Sequence, residues 1–332
     1  MAWQVISRWI GRWLGVGCHV FRRRVVLEDA LKFFYEREEA GHRASCSDLA
    51  RSLNMPLRCV DRVLAGLIQM GFAQRVGDTI VLSEAGRQEA LRIVRLHRLW
   101  EKYLAEETGL DPGEWHAKAH VLEHVTTPEL ADGLVAQLGN PRFDPHGDPI
   151  PTETGEIKAV SGKPVTAMHP GDVVEITHME DEPASSFREL IDRGLHPGAR
   201  FRVQKVSGDG VTIQRQGEAI ILSPQAAANL QVKIIPKQEC DLWEKKPATL
   251  ADLGLQEECV VIGIAPSCRG LARRRLLDLG FVPGTKVRAE LCSVGGDPMA
   301  FRVRNTLIVL RKAQAAHILV KLEHSISATT KV

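Results

Sequence analysis

Histidines and carboxylates are concentrated between residues 97 and 124. Residues three and four positions apart share one face of a helix, so the spacing predicts two helices that aim imidazoles and carboxylates at each other. Imidazole and carboxylate groups bind borderline and hard divalent cations, and a set without thiolates argues against copper(I) or iron–sulfur chemistry. The segment is a candidate metal site, with ordinary helix histidines as the alternative. Its donors are His97, Glu101, His116, His120, Glu123 and His124.

The elements before this segment predict a winged helix-turn-helix. Amphipathic patterning predicts three helices, over residues 25–40, over residues 47–53, and from Pro56 or Leu57 to Met70. Ser47 is the predicted N-cap of the second helix, and Gly71 ends the third. Residues 72–76 and 79–82, separated by a Gly-Asp turn, predict a two-stranded wing.

In such a module the third helix enters the major groove, and its early residues meet bases and phosphates. The candidate DNA-binding residues are Arg58, Cys59, Asp61, Arg62 and, on the wing, Arg75. Arginines suit this role. Asp61 is repelled by phosphates unless it accepts a hydrogen bond from a cytosine amino group. The alternative is a winged helix that is retained only as a scaffold.

Two further helices and a linker are predicted around the metal segment. A long helix over residues 83–105 leads into it, and a helix from Thr127 to Leu138 follows it. The two helices are expected to supply an apolar dimer face. Residues 139–170 are rich in proline and glycine, which indicates a linker. His146 within it is predicted to be a solvated loop residue.

The C-terminal half contains an internal repeat. Residues 187–198 correspond in sequence to residues 273–284, and residues 219–222 correspond to residues 307–310. Two copies at this spacing indicate a duplicated domain and exclude a solenoid. Short alternating strands around one helix predict two small β-barrels. The predicted fold class is therefore multidomain α+β: a winged helix-turn-helix, an all-α domain that carries the candidate metal donors and the dimer face, and two small β-barrels, which resemble SH3-like domains.

Residues 1–24 combine an apolar stripe containing Trp3 and Trp13 with arginines, as an interfacial membrane helix does. Arg8 and Arg12 interrupt the stripe too often for it to span a bilayer. The alternative is a helix that packs on the body of the protein or on a dimer mate.

Composition limits the function classes. The 332 residues carry a net charge of +2, which neither favours nor excludes a polyanionic partner. The seven cysteines form no CxxC pair, and no signal peptide precedes them, which predicts a reduced, cytoplasmic protein. The sequence has no phosphate-binding loop, GxSxG or HExxH motif, so we expect that the protein is not an enzyme.

The chain resembles the diphtheria-toxin-repressor family of iron- and manganese-dependent transcriptional regulators. The similarity runs from about Val25 into the C-terminal half, and the repeated domain resembles the SH3-like domains of ferrous-iron transport systems. The resemblance rests on four sequence motifs: His97-Arg98-Leu99-Trp100-Glu101, Gly109-Leu110-Asp111, Leu122-Glu123-His124-Val125 and Gly147-Asp148-Pro149-Ile150-Pro151.

The resemblance implies a ligand set. His97, Glu101 and His116 match the family's ancillary site, whereas His120, Glu123 and His124 match its primary site, which Asp29 completes. The implied cofactor is Mn²⁺ or Fe²⁺, with Zn²⁺ able to bind in vitro. Lys32 near this site opposes a second cation. The first SH3-like copy could also donate Glu180, Asp181 or Glu182.

The implied function is a homodimeric, metal-dependent repressor that binds double-stranded operator DNA and controls metal homeostasis. Regulator-like modules of this family also occur fused behind metal permeases. The alternative is therefore a cytoplasmic, metal-sensing module of a membrane transporter that uses residues 1–24 at the membrane surface and does not bind DNA. The predicted domains are residues 1–24, 25–86, 87–140, 141–168 (linker), 169–236 and 247–324.

Overall fold

The computed structural model describes residues 18–159, 161–236, 248–265 and 267–322. The predicted membrane-surface helix at residues 1–24 falls mostly outside the described residues. The chain divides into two compact units. Among the described residues, the first unit holds 18–100, 116–142 and 149–158, and the second unit holds 101–115, 143–148 and the residues beyond 158.

The first unit begins with the predicted winged helix. Its elements are α1 Cys18–Glu39, β1 Ala44–Ser45, α2 Cys46–Ser52, α3 Leu57–Gln69, β2 Ala73–Val76 and β3 Thr79–Leu82. The prediction that Ser47 caps α2 is wrong. Ser45 is the N-cap, because its backbone amide donates to Asp48, whose own amide donates back to the Ser45 hydroxyl.

The wing is a hairpin that turns at Gly77, whose positive φ of 62° suits the tight turn, as predicted. Strand β1 adds to it in the order β1-β3-β2. Leu31 and Phe34 of α1 share one buried core with Leu64 and Leu67 of α3. Helix α1 and the helix predicted to read DNA therefore belong to one packed body.

Three helices follow: α4 Glu84–Glu107, α5 Trp115–Glu123 and α6 Pro128–Gln137. A single 3-10 turn, Pro112–Glu114, precedes α5. Thr127 caps α6 through its side chain, which accepts from the Leu130 amide, as the Thr-Pro pair predicts. In the part of the chain that the structure describes, no helix is long and apolar enough to cross a bilayer.

The second unit contains the two copies of the repeat, each an antiparallel sheet with two helices. The first sheet has the order β4-β9-β5-β6-β7-β8 and the second has the order β13-β12-β11-β10-β14. The elements of the first copy are β4 Lys163–Pro164, β5 Val173–Met179, α7 Ala184–Asp192, β6 Arg200–Ser207, β7 Gly210–Arg215, β8 Glu218–Leu222, α8 Pro224–Ala228 and β9 Leu230–Ile234. Those of the second copy are β10 Glu258–Ile264, α9 Gly270–Asp278, β11 Lys286–Cys292, β12 Met299–Val303, β13 Thr306–Leu310, α10 Lys312–Ala315 and β14 Ile318–Leu322.

Part of the predicted linker is folded. Residues 143–148 belong to the second unit and 149–158 to the first. The prediction that His146 is a solvated loop residue is wrong, because only 4% of His146 is exposed. The Asp144 carboxylate accepts hydrogen bonds from three backbone amides of this short loop, and the rings of Trp115 and Phe187 lie against His146 and cover it. The predicted domain limits stay predictions.

Candidate metal centre

Four side chains of the first unit converge on one point. Asp29 lies on α1, His120 and Glu123 lie on α5, and His124 follows α5 directly. Asp29 Oδ1 lies 3.1 Å from His124 Nε2, and Glu123 Oε1 lies 3.5 Å from the same nitrogen. His120 Nδ1 lies 3.3 Å from Glu123 Oε1 and 3.9 Å from Asp29 Oδ1. We call Asp29, His120, Glu123 and His124 the first cluster; each offers one donor atom within 4.8 Å of the others.

Three of these donor atoms are buried without a hydrogen bond. Among the described residues, Asp29 Oδ1, Glu123 Oε1 and His124 Nε2 have no hydrogen-bond partner, although all three face one another. A buried polar atom that is left unpaired costs about 1–3 kcal/mol. A divalent cation is the group that satisfies two carboxylate oxygens and an imidazole nitrogen at once, so the donor set fits a metal ion.

A carboxylate outside the first cluster, that of Glu28, orients the His124 ring. Glu28 Oε2 lies 2.6 Å from His124 Nδ1, which leaves Nε2 directed into the cluster. The other oxygen of Glu28 accepts from Arg24 at 2.8 Å and from Arg92 at 3.2 Å. A carboxylate that accepts from the distal nitrogen of a histidine fixes the tautomer of a metal ligand. Glu28 was not among the residues predicted from the sequence, although it is adjacent to Asp29.

The outer oxygen of Glu123 is occupied. Oε2 contacts His97 Nδ1 and lies 3.4 Å from Lys32 Nζ, so only Oε1 faces the cluster. The other ring nitrogen of His97 lies 3.2 Å from His116 Nδ1. His97 and His116 are therefore neighbours, and His97 also holds a ligand of the first cluster.

Burial and the neighbouring charged groups determine the protonation states of Glu123 and His124 in the first cluster. Burial raises the pKa of Glu123, but His120, His97 and the charge of Lys32 outweigh burial and hold that pKa well below its usual range. Burial opposes protonation of His124, but the neighbouring carboxylates of Asp29 and Glu28 outweigh it and raise its pKa to about 9. At neutral pH a metal ion that bound to His124 would therefore have to displace a proton.

A second cluster lies in the second unit and consists of Glu101, Asp144 and His146. His146 Nδ1 lies 3.6 Å from Glu101 Oε2 and 3.9 Å from Asp144 Oδ2, and all three residues are buried. Asp144 and His146 were not among the metal ligands predicted from the sequence. The sequence feature that could have indicated them is a histidine flanked by two aspartates, Asp144 and Asp148. The predicted grouping of Glu101 with His97 and His116 stays a prediction.

Asp144 presents one oxygen to the loop and one to the cluster. Its Oδ1 accepts from the backbone amides of residues 146, 147 and 148 at 2.8–2.9 Å. Its Oδ2 is buried and, within the described residues, has no hydrogen-bond partner. Burial opposes protonation of His146, but Asp144 and Glu101 outweigh it and raise the pKa of His146. This donor set also fits a divalent cation.

The candidate DNA-binding residues line one side of the winged helix. Arg58, Asp61 and Arg62 are exposed on α3, and Cys59 is partly buried there. Arg75 of the wing lies 3.8 Å from Asp61 and donates to Cys46 Sγ at 3.1 Å. The negative charge of Asp61 is thus paired with Arg75, which lessens the repulsion expected between Asp61 and phosphate.

Glu180, Asp181 and Glu182, the candidate donors of the first SH3-like copy, belong to neither cluster. Glu180 Oε2 lies 3.8 Å from His178 Nε2, and Asp148 Oδ1 lies 3.3 Å from the other nitrogen of that ring. His178 therefore binds carboxylates on both sides.

Two family models match the chain. The model described as "iron dependent repressor, metal binding and dimerisation domain" matches residues 83–152. The FeoA domain model matches residues 163–234 and again 248–322, which confirms the predicted duplication.

Individual relatives agree with these models. The iron-dependent repressor IdeR of Mycobacterium tuberculosis is 30% identical over 216 residues, which cover 60% of this chain and 92% of that protein. A solved manganese-dependent transcriptional repressor in complex with manganese aligns with a TM-score of 0.58 at 28% identity and covers 63% of this chain and 99% of that chain. A probable metal transport system membrane protein of Chlamydia trachomatis is 32% identical over 161 residues, which cover 45% of this chain and 35% of that protein.

Proposed function

The chain belongs to the diphtheria-toxin-repressor family of metal-dependent regulators, and from this premise we propose that it is a dimeric, cytoplasmic repressor that binds operator DNA when Mn²⁺ or Fe²⁺ occupies the first cluster. The observation that carries the proposal is the convergence of three unpaired buried donor atoms, one of them from the winged helix. Its relatives are transcriptional repressors, so we propose that it regulates transcription, and we propose no enzymatic activity for it.

Asp29 links the metal centre to DNA reading. It lies on α1, whose residues share a core with α3, the helix predicted to enter the major groove. The other three donors lie on or directly after α5. When bound, the cation supplies the positive charge that holds these four donors together. Asp29 thereby ties the winged helix to α5, and in a dimer this tie sets the distance between two recognition helices.

To act as a switch, the link through the cation must strongly favour one arrangement of the winged helix relative to α5, here called the closed state. Moving a population from mostly open to mostly closed requires about 5 kcal/mol of differential affinity for the closed state. Four converging donors, one of them oriented by Glu28, are suited to provide it. The charge of Lys32 on Glu123 favours a single cation at this cluster.

Metal selectivity comes from the cell. Zn²⁺ binds a set of imidazoles and carboxylates more tightly than Mn²⁺ in vitro, so availability decides which ion occupies the site. Glu101, Asp144 and His146 provide a second cation site that stabilises the second unit. His97 and His116 lie beside the first cluster and support Glu123.

The dimer and DNA contacts complete the proposal. The matched repressor model is a metal-binding and dimerisation domain, and α6 lies within its range. We assign base and phosphate contacts to Arg58, Cys59, Asp61, Arg62 and Arg75.

The test is DNA binding by fluorescence anisotropy, at one stated salt concentration, with and without Mn²⁺. We expect Mn²⁺ to tighten binding to an operator fragment at least tenfold in the wild type. Asp29→Ala should abolish this stimulation and leave the dimer intact, because it removes the only first-cluster donor on α1. Asp209→Ala, at an exposed aspartate in the turn between β6 and β7 of the first SH3-like copy, is the matched control and should behave as the wild type. Equal stimulation in Asp29→Ala would contradict the coupling.

A second candidate is a metal-sensing module that regulates a membrane transporter. The similarity to the chlamydial membrane protein favours it. It predicts binding to metal and to membrane vesicles through residues 1–24, with no DNA binding at any Mn²⁺ concentration. Selection from a pool of genomic fragments with and without Mn²⁺ separates the two candidates.

A further inference from the structure

The second SH3-like copy contacts a short stretch of the chain that joins α4 to α5. Gly270, the first residue of α9, has a φ of +59°, and a Cβ added there would lie 2.2 Å from the Thr108 carbonyl oxygen and 3.0 Å from the Gly109 nitrogen. No side chain fits at this distance. The backbones of α9 and of residues 107–115, here called the joining segment, are therefore in direct contact.

Two arginines reinforce this contact. Arg274 Nη1 lies 3.6 Å from Glu107 Oε2, and the Arg269 guanidinium lies 4.8 Å from the centroid of the Trp115 ring. A guanidinium over an indole is attracted by the ring quadrupole. Only 1% of Trp115 is exposed, so the ring is held tightly. The second copy thus contacts both ends of the joining segment.

The internal repeat makes this contact more specific. In the alignment of residues 187–198 with 273–284, Arg274 occupies the position of Arg188. Arg188, on α7 of the first copy, donates to Asp111 Oδ2 at 3.2 Å. The two copies therefore use an equivalent helix position to bind two carboxylates of one segment, Glu107 and Asp111.

The contact also reaches the second cluster. The Trp115 ring lies 6.1 Å from the His146 ring, and the His146 ring also lies 5.1 Å from the Phe187 ring of the first copy. Arg269, Trp115 and His146 form a continuous line of contacts from the second copy to a candidate metal ligand. Displacement of Arg269 would loosen the packing of the Trp115 ring against His146.

We propose that the second SH3-like copy is a positioning element of the metal sensor, which docks through Gly270, Arg269 and Arg274 on the joining segment and is coupled through Trp115 to cation binding at the second cluster. The coupling rests on the proposed function, whereas the docking does not. Coupling between two binding events is reciprocal. A cation at the second cluster should therefore strengthen docking, and loss of docking should weaken cation binding.

Docking is tested on the metal-free full chain by hydrogen exchange with mass spectrometry. Gly270→Ala should speed exchange in the joining segment and leave β10 to β14 as slow as in the wild type. The matched control is Gly284→Ala, in the same copy. Gly284 also has a positive φ, 86°, but an added Cβ there would meet nothing within 4 Å, so the control carries the backbone strain without the clash. Unchanged exchange in the joining segment, or equal changes in both variants, would overturn the docking.

A second variant covers the case in which Gly270→Ala unfolds the copy. Arg269→Gln combined with Arg274→Gln removes the two side-chain contacts without a steric clash, and Arg275→Gln serves as its control. Arg275 is exposed on the same helix and has no ion pair among the described residues. The double variant should speed exchange in the joining segment, and exchange equal to that of Arg275→Gln would again overturn the docking.

Coupling is tested by calorimetric titration with Mn²⁺ and with Zn²⁺, with His146→Ala to identify the signal of the second cluster. We expect the second cluster of Gly270→Ala to bind the ion with about fivefold lower affinity than the second cluster of Gly284→Ala. In the wild type, the same ions should slow exchange in residues 268–276. Equal affinities in the two glycine variants would refute the coupling and leave the proposed function intact. A wild type without any signal from the second cluster would refute both the coupling and the assignment of that cluster.

Discussion

The first and second clusters use similar donors in different surroundings. In the first cluster the His120 side chain is 46% exposed, and Lys32 and His97 contact the outer oxygen of Glu123. In the second cluster all three donors are buried, and a turn of three backbone amides holds Asp144. An exposed ligand gives an ion a path in and out, whereas a fully buried set must be satisfied for the fold to be stable. The comparison indicates a responsive site and a structural site.

The largest expected effect separates the clusters by their contribution to the metal-free fold. His146→Ala leaves Glu101 and Asp144 buried without the imidazolium, which should lower the free energy of unfolding by about 3 kcal/mol. His120→Ala, at a half-exposed position, should change it by less than about 0.5 kcal/mol. Urea denaturation of the metal-free variants measures both values. Similar losses in the two variants would remove the distinction between the sites.

The next effect concerns the orientation of His124 and belongs to the first cluster alone. Glu28→Gln removes the negative charge beside His124 Nδ1 and should weaken Mn²⁺ binding there by about 10–100-fold, as loss of an outer carboxylate does at other metal sites. Glu84→Gln, an exposed change on α4, is the control. Competition with a fluorescent chelator measures the affinity. A loss smaller than twofold would show that the ring is oriented by packing.

The smallest effect is a dependence of the first cluster on pH. The His124 pKa near 9 lies above the ordinary value of about 6.5, so the proton stabilises the metal-free fold at low pH, and this stabilisation is lost as the pH rises through 9. Because a bound metal ion would displace that proton, Mn²⁺ affinity should rise about tenfold from pH 7 to pH 8 and level off as the pH passes 9. Titrations at pH 7, 8 and 9 measure the slope. A flat profile would show that His124 is already neutral.

The two clusters also differ in how well the sequence predicts them. Helical spacing alone places His120, Glu123 and His124 on one face, because residues three and four apart must share it. Asp29 follows only from the family resemblance, since 91 residues separate it from His120 and no periodicity connects them. Asp144 and His146 were not predicted at all, because a Pro-rich and Gly-rich stretch indicates a solvated loop, and only the observed burial shows otherwise.

The sequence by itself determined the order of elements, the wing turn, the duplicated domain and the donors that one helix carries. These properties depend on local backbone preference and on side-chain periodicity, which act over a few residues. Tertiary structure alone decided that Glu28 orients His124, that Asp61 pairs with Arg75 and that Gly270 meets Thr108. Such contacts join residues far apart in the chain, and packing determines them because burial and charge must be satisfied in three dimensions.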